Sequence, residues 1–275
     1  MPQISLIASA IRTPLYQMFL NSLKGSEIEI EVVFAGPNNP QGTEFSIPHN
    51  VSFRYIATGN IKPAQCYEVA RRAAKGDLIC WVADDCEFIG GVLGKAYAFW
   101  KAIKNEKDVL SIQTREHYPT RGNRLADNFC DMKLHSFYGG RPETPLMAPL
   151  GMMSRSYLDK LGGIDRRYTC GQYENDLVMR VYEDGGHVVP FGDRTCYIDI
   201  NHIGKESIML GRKATFEDFL DRPFGKGYAS DRLVLEKSWC GGKGRNVRKQ
   251  RFDVFEPFLE KDLLIHSQGP KGIWE

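Results

Sequence analysis

No apolar run in this 275-residue chain approaches the roughly 18 residues that a membrane-spanning helix needs. The most apolar stretch, Leu146 to Met153, is short and interrupted by Pro149. The opening MPQISLIASAIRTP has no basic stretch ahead of its apolar run, so no secretory signal is read there and a cytoplasmic protein is expected. The seven cysteines (Cys66, Cys80, Cys86, Cys130, Cys170, Cys196 and Cys240) contain no Cys-x-x-Cys pair and are odd in number. A zinc cluster or a disulfide framework is thereby disfavoured, and reduced thiols suit the cytosol. No glycine-rich turn follows the first apolar run; Ser9-Ala10-Ile11-Arg12 stands there, where a nucleotidyltransferase would need one. What the chain does have is ordinary globular composition, 42% hydrophobic and 25% charged, with enough aromatic residues for a sizeable core.

The net charge of +2 hides an uneven distribution. From Arg222 to Arg251, nine Lys or Arg stand against Asp231 and Glu236, a net +7, which leaves −5 for the rest. Such a block is either a solvated basic surface or one that meets phosphates of a lipid, a nucleic acid or a glycan intermediate.

Residues 4–8 (ISLIA) read as a buried strand, and Thr13-Pro14 opens a helix carrying Leu15, Phe19 and Leu23 at spacing four. Strands follow at 29–35 and 51–56, a helix from Pro63 to Ala74, and a strongly apolar strand at 77–83. A helix at 92–103 and a strand at 109–113 continue the alternation, which predicts an α/β fold with a doubly wound, mostly parallel, Rossmann-like sheet. Residues 115–145 read as a long loop region. Beyond it come a strand over 146–154, a short helix to Leu161, a helix over 174–182 and strands at 188–190 and 195–200. Short helices are expected at 217–220 and 255–264.

Ligands of open α/β sheets bind beyond the carboxyl ends of the strands. There the 77–83 strand runs into Asp84-Asp85, adjacent carboxylates that suit a divalent cation bridging to phosphates, or a turn in which they bond the backbone. Glu174 and Asp176 open the later helix, either as capping acids or as a general base toward a hydroxyl. His202, after the strand CYIDI, is a metal ligand or a structural histidine. Cys86 beside the aspartates reads as a buried filler or a reactive thiol.

Taken in order, these segments resemble one family. Over about residues 3–203 the chain is similar to the family 2, GT-A type glycosyltransferases. The resemblance rests on ISLIASAIRTPLYQMFLNSL, on NIKPAQCYEVARRAAKGDLICWVADDCEF with its DxD-like acidic end, on Leu161-Gly162-Gly163-Ile164-Asp165, and on YENDLVMR. It implies a GT-A domain over 1–204, with a nucleotide-sugar half at 1–114 and an acceptor half at 115–204. Residues 205–275 then form a basic C-terminal extension serving as a lid or an acceptor-binding segment. It implies a metal-dependent inverting transfer of a hexosyl-type sugar from a nucleoside-diphosphate sugar, UDP-sugar favoured, to a glycan or lipid-linked acceptor. In that scheme Asp84 contacts the donor, Asp85 and His202 hold Mn²⁺ or Mg²⁺, and Glu174 is the base, with Asp176 as alternative base or helper. Ser9, Arg12, Asn60, Lys62 and Gln65 are the candidates for nucleotide-sugar contacts.

The chain departs from the family pattern in three places: Ala35-Gly36 replaces an acidic pair after the second strand, Ala83 precedes the aspartates, and Glu rather than Asp stands at the base position. Two further functions remain open. One is a DNA-modifying glycosyltransferase acting on a hydroxymethylated base, using the 222–251 block with its interleaved Phe224, Tyr228, Trp239 and Phe252. The other is a non-catalytic nucleotide-sugar or glycan-binding module on the same fold.

Overall fold

The computed structural model of the protein describes residues 1–37, 40, 42–58, 62–103, 105–117, 125–126, 146–201, 223–241 and 248–264. The first half alternates β1 (Ile4–Ser9), α1 (Tyr16–Ser22), β2 (Ile30–Gly36), β3 (Val51–Ala57), α2 (Pro63–Ala73), β4 (Leu78–Trp81), β5 (Cys86–Ile89), α3 (Val92–Ala102) and β6 (Val109–Ile112). Then come β7 (Thr114–His117), β8 (Leu125–Ala126), β9 (Gly151–Ser154), α4 (Arg155–Lys160), α5 (Tyr173–Glu183), β10 (Val188–Phe191), β11 (Tyr197–Asn201), α6 (Pro223–Cys240) and α7 (Glu260–Leu264).

Seven strands form one sheet in the order β10-β6-β9-β4-β1-β2-β3. The pairings β1–β2, β2–β3, β1–β4 and β6–β10 are parallel, while β9 runs antiparallel between β4 and β6. The expected mostly parallel, doubly wound α/β sheet is therefore present. Strands β2, β4, β6 and β9 are buried along their whole length, which is why their sequences are mostly apolar rather than alternating, with Glu31, Ser111 and Ser154 as buried exceptions. Helix α2 packs on β1 and β2, and α4 on β4 and β9. Phe19 of α1 meets Phe34 of β2 and Phe88 of β5 edge to face, with ring centroids 5.0 and 5.1 Å apart.

The chain passes from β1 outward to β2 and β3, then returns to place β4 on the other flank of β1. That reversal makes the carboxyl ends of β1 and β4 the topological switch point, the place where such sheets bind ligands. The turn after β4 leads into β5, which belongs to a second sheet of order β5-β11-β7-β8. The apolar strand thus ends at Trp81, short of the expected Ala83, because the chain turns there to change sheets. Strand β5 was not expected; four residues with alternating burial carry too weak a pattern to stand out.

The C-terminal stretch is built into this body. Trp239, Phe258 and Leu263 are buried, and Asp165 bridges to Pro257. Asp253 takes Arg167 at 2.6 Å, and α6 packs on α5. The boundary expected at 204/205 and the helix expected at 217–220 lie outside the described residues. Of the other expected C-terminal helix only 260–264 forms, whereas the 18-residue α6 was not foreseen. Among the described residues, no helix is long and apolar enough to cross a membrane.

Candidate active site

Asp84 and Asp85 follow β4, and both are fully buried. Asp84 Oδ2 accepts the backbone N–H groups of Ile11 and Arg12, at 2.8 and 2.9 Å, from the loop after β1. The Arg12 guanidinium donates to Asp84 Oδ1 and stands 3.5 Å from Asp85 Oδ2. One arginine therefore spans the switch point and faces both carboxylates. Burial works against its charge, but Asp84 and Asp85 outweigh that and hold its pKa above the ordinary arginine value. Burial pushes the Asp84 carboxyl up, against the pull of Arg12.

Ser9, at the end of β1, is half-buried beside the Cys66 thiol. Cys86 is buried, as expected of a filler. Gly36, at the end of β2, has no room for a side chain: a Cβ there would stand 1.9 Å from the Ala10 carbonyl oxygen. Tyr55 donates its hydroxyl to that same carbonyl. The acidic pair of the resembling family is thus replaced by a closely packed backbone.

Lys62 is exposed at the start of α2, and Gln65 accepts the Lys62 backbone N–H over 3.0 Å, a helix-capping contact. The next helical N–H, of Ala64, donates to the carbonyl of Thr169 just ahead of α5. Asn60 and His202 lie outside the described residues.

Glu174 and Asp176 occupy the first turn of α5, yet their surroundings differ. Glu174 lines a small cavity with Tyr67, Arg71, Trp81, Ile164 and Tyr173, and its Oε2 is buried with no hydrogen-bond partner among the described residues. Burial pushes its carboxyl up to about 7, with a smaller push from Asp231 and an opposing pull from two backbone N–H groups. Tyr67 and Tyr173 stack with centroids 5.0 Å apart, and Tyr67 feels the charges of both Asp84 and Glu174. This ring pair joins the two carboxylate clusters.

Asp176 is fully committed to the interior. Its Oδ1 accepts the Trp239 indole N–H at 2.9 Å and the Tyr168 hydroxyl at 3.3 Å. Arg180 reaches Oδ2 at 2.9 Å, and Arg251 lies 2.9 Å from Oδ1. Trp239 and Arg251 belong to the basic, aromatic-interleaved block. Trp239 is 0% exposed and the Arg251 side chain 6%, so neither is placed to meet a nucleic acid.

Sequence reasoning missed Tyr67, Tyr173 and Asp231. A signal for Asp231 existed: it is one of two acids in a strongly basic segment, and the other, Glu236, pairs locally with Arg232.

For a divalent ion, Asp85 offers a hard carboxylate of suitable chemistry, and Mg²⁺ is commonly held by one or two carboxylates together with substrate phosphates. Among the described residues no group of three or more His, Cys, Asp or Glu forms a complete protein cage. The residues present fit an ion that arrives with a diphosphate, with Arg12 as neighbour.

In sequence, no family model and no curated protein matches the chain. In fold, the structure of S. aureus TarS 1-349 matches with a TM-score of 0.53 at 15% identity, over 86% of this chain and 73% of that one. The same fragment in complex with UDP-GlcNAc matches at TM-score 0.55 and 15% identity, over 85% and 71%. The longer S. aureus TarS structure gives 0.52 at 16% identity, over 85% of this chain and 42% of that one. The likeness is one of fold: a GT-A, mostly parallel α/β architecture.

Proposed function

We propose that the chain is a glycosyltransferase that moves a sugar from a nucleoside-diphosphate sugar, UDP-sugar favoured, onto a hydroxyl of a glycan or lipid-linked saccharide with inversion. The observation that carries this reading is the pairing of unlike carboxylate environments. An arginine-bound aspartate pair sits at the switch point, and a buried Glu174, with one oxygen unpartnered among the described residues and its carboxyl near 7, stands across the Tyr67–Tyr173 pair. Two titratable clusters with divergent surroundings suit a division between donor binding and proton abstraction. The fold shared with a protein solved in complex with UDP-GlcNAc supports the donor class.

In this scheme Arg12 and Asp84 orient the donor at the ends of β1 and β4. Glu174 accepts the proton of the attacking acceptor hydroxyl, and a carboxylate titrating near neutrality is well matched to that task. Asp85 would hold a divalent ion, Mn²⁺ or Mg²⁺, which when bound offsets charge on the leaving nucleoside diphosphate. Asp176 serves as a structural anchor rather than the base, since Trp239, Arg180, Arg251 and Tyr168 occupy its oxygens. The six described cysteines are free, in keeping with a cytoplasmic setting.

The test is a thermal-shift panel of nucleoside diphosphates and nucleotide sugars, with and without Mn²⁺ or Mg²⁺. The expected result is a rise in Tm for one nucleotide that needs the divalent ion and disappears in Asp85→Ala. No shift for any nucleotide with either ion would remove the sugar-transfer reading.

A further inference from the structure

Four hydrogen bonds from three consecutive residues converge on one carboxylate of helix α6. Asp231 Oδ1 accepts the backbone N–H and the hydroxyl of Thr169, both at 2.9 Å. Its Oδ2 accepts the N–H groups of Cys170 and Gly171, at 2.7 and 2.9 Å. Asp231 is fully buried, and among the described residues no lysine, arginine or histidine forms an ion pair with it. A buried carboxylate without a cation is costly unless backbone donors are aimed at it, and here three are.

The clamped segment leads directly into α5. Gln172 adopts a left-handed backbone (φ 63°), the one non-glycine residue with positive φ among those described. Such a conformation is strained for a side-chain-bearing residue and persists only where its surroundings impose it. Asn175 reaches back to the Gln172 side chain at 2.7 Å, and Glu174 follows two positions after the strained residue. On its other side the segment is tied to α2 through the Thr169 carbonyl and the Ala64 N–H, 3.1 Å apart.

We infer that Asp231 is the positioning residue for Glu174, and that helix α6 is thereby part of the machinery that sets the base. This rests on the reading of Glu174 as the base. Tyr67 and Arg71 of α2, Tyr173 of α5 itself, Cys170 of the clamped loop and Asp231 of α6 are the titratable groups facing Glu174. Arg71 is engaged by Glu68 and Asp159, so Asp231 is the nearby charge not balanced by a cation. It acts on Glu174 in two ways, fixing the turn that aims it and favouring its protonated form.

The experiment compares wild type, Asp231→Asn, Glu174→Gln and the Asp231→Asn/Glu174→Gln double variant. UDP release from UDP-GlcNAc, with water as acceptor, reports turnover as a function of pH. In parallel, the pH dependence of the Tm difference between each Glu174 protein and its Gln counterpart reports the titration of Glu174 without any substrate. The expected result for Asp231→Asn is a folded protein whose kcat falls on the order of tenfold to a hundredfold at unchanged KM for UDP-GlcNAc. Its acid limb, and the Glu174 titration in the Tm series, both move to lower pH. Unchanged kcat, with the Glu174 titration unmoved, overturns the inference. If wild type and Glu174→Gln are equally inert, the sugar-transfer reading fails, and the Tm series alone decides whether Asp231 sets the titration of Glu174. Should Asp231→Asn not fold, Thr169→Val keeps the charge and removes one of the four bonds. A lower kcat with an unmoved pH profile then supports the clamp, and an unchanged kcat overturns it.

Discussion

Trp239 donates its indole N–H to Asp176 across 2.9 Å, joining the end of α6 to the first turn of α5 from 63 positions away. The ring is 0% exposed and lies beneath the Arg251 guanidinium, 5.5 Å from ring centroid to carbon. Trp239→Ala should cost about 3–5 kcal/mol, as large buried aromatic deletions do. Trp239→Phe, which removes the donor beside a buried acceptor while keeping an aromatic ring of smaller size, should cost about 1–3 kcal/mol from the lost hydrogen bond. Urea unfolding of the two variants measures both, and equal losses would show that the lost hydrogen bond, rather than the packing of the ring, decides the cost at this position.

Arg251 contacts two buried carboxylates, Asp165 at 2.6 Å and Asp176 at 2.9 Å. Arg251→Met should destabilise by about 3–5 kcal/mol, because it strands buried charge. A pH signature should accompany the loss. Burial alone would raise the Asp165 carboxyl, but hydrogen bonds from Arg167 and the charge of Arg251 outweigh it and hold the group below its ordinary value. Stability from a depressed carboxylate is present above the unfolded pKa and lost as pH falls through the folded one. With Arg251 gone, acid unfolding should begin at higher pH than in wild type.

Glu174 carries the opposite sign. Its folded value, about 7 against an ordinary 4.5, favours the neutral form in the native state. That contribution is complete below the unfolded value and lost as pH rises through the folded one. Glu174→Gln should therefore match wild-type stability near pH 4 and exceed it by up to about 3 kcal/mol above pH 7. Turnover should fall on the order of 10²- to 10⁴-fold. A variant both more stable and inactive marks a group retained for chemistry; equal stability at pH 8 would show that Glu174 is not desolvated.

Arg12 is the cation that faces Asp84 and Asp85. Its removal in Arg12→Ala should lower Tm, and added Mn²⁺ should restore more of that loss than it adds to wild type, since an ion then meets two buried carboxylates. Equal Mn²⁺ responses in the two proteins would argue against an ion site at Asp85.

Gly163 combines a φ of 76° with contact to a buried ion pair. An added Cβ would lie 2.6 Å from Arg71 Nε and from Glu68 Oε2. Gly163→Ala should cost about 1–3 kcal/mol from crowding, with a further strain of about 1–2 kcal/mol from the left-handed backbone. Denaturant titration of this single variant is the check.

Much of the first half was legible in the chain. Largely apolar runs at 4–8, 29–35 and 77–83 mark buried strands, and Pro63 marks the first residue of α2. What escaped was either short or far apart. Strand β5 has four residues and depends on a partner, β11, more than a hundred positions later. Helix α6 carries Gly225 and Gly227 and only a weak apolar stripe, so nothing local announces it; packing on α5 supplies its stability.

By itself the sequence placed Asp84-Asp85 at the end of a central strand, and Glu174 and Asp176 in the first turn of a helix. Those placements follow from local chemistry: apolar periodicity, a breaking residue, and acids favoured at a helix start. Which of the two helix acids is held fast and which keeps an oxygen in reserve was decided only by tertiary structure. Trp239 and Arg251, 63 and 75 residues away, converge on Asp176 and leave Glu174 to face a cavity. Burial and partnership are properties of that convergence, and they set the proton affinity of a carboxylate, which the residue type alone does not.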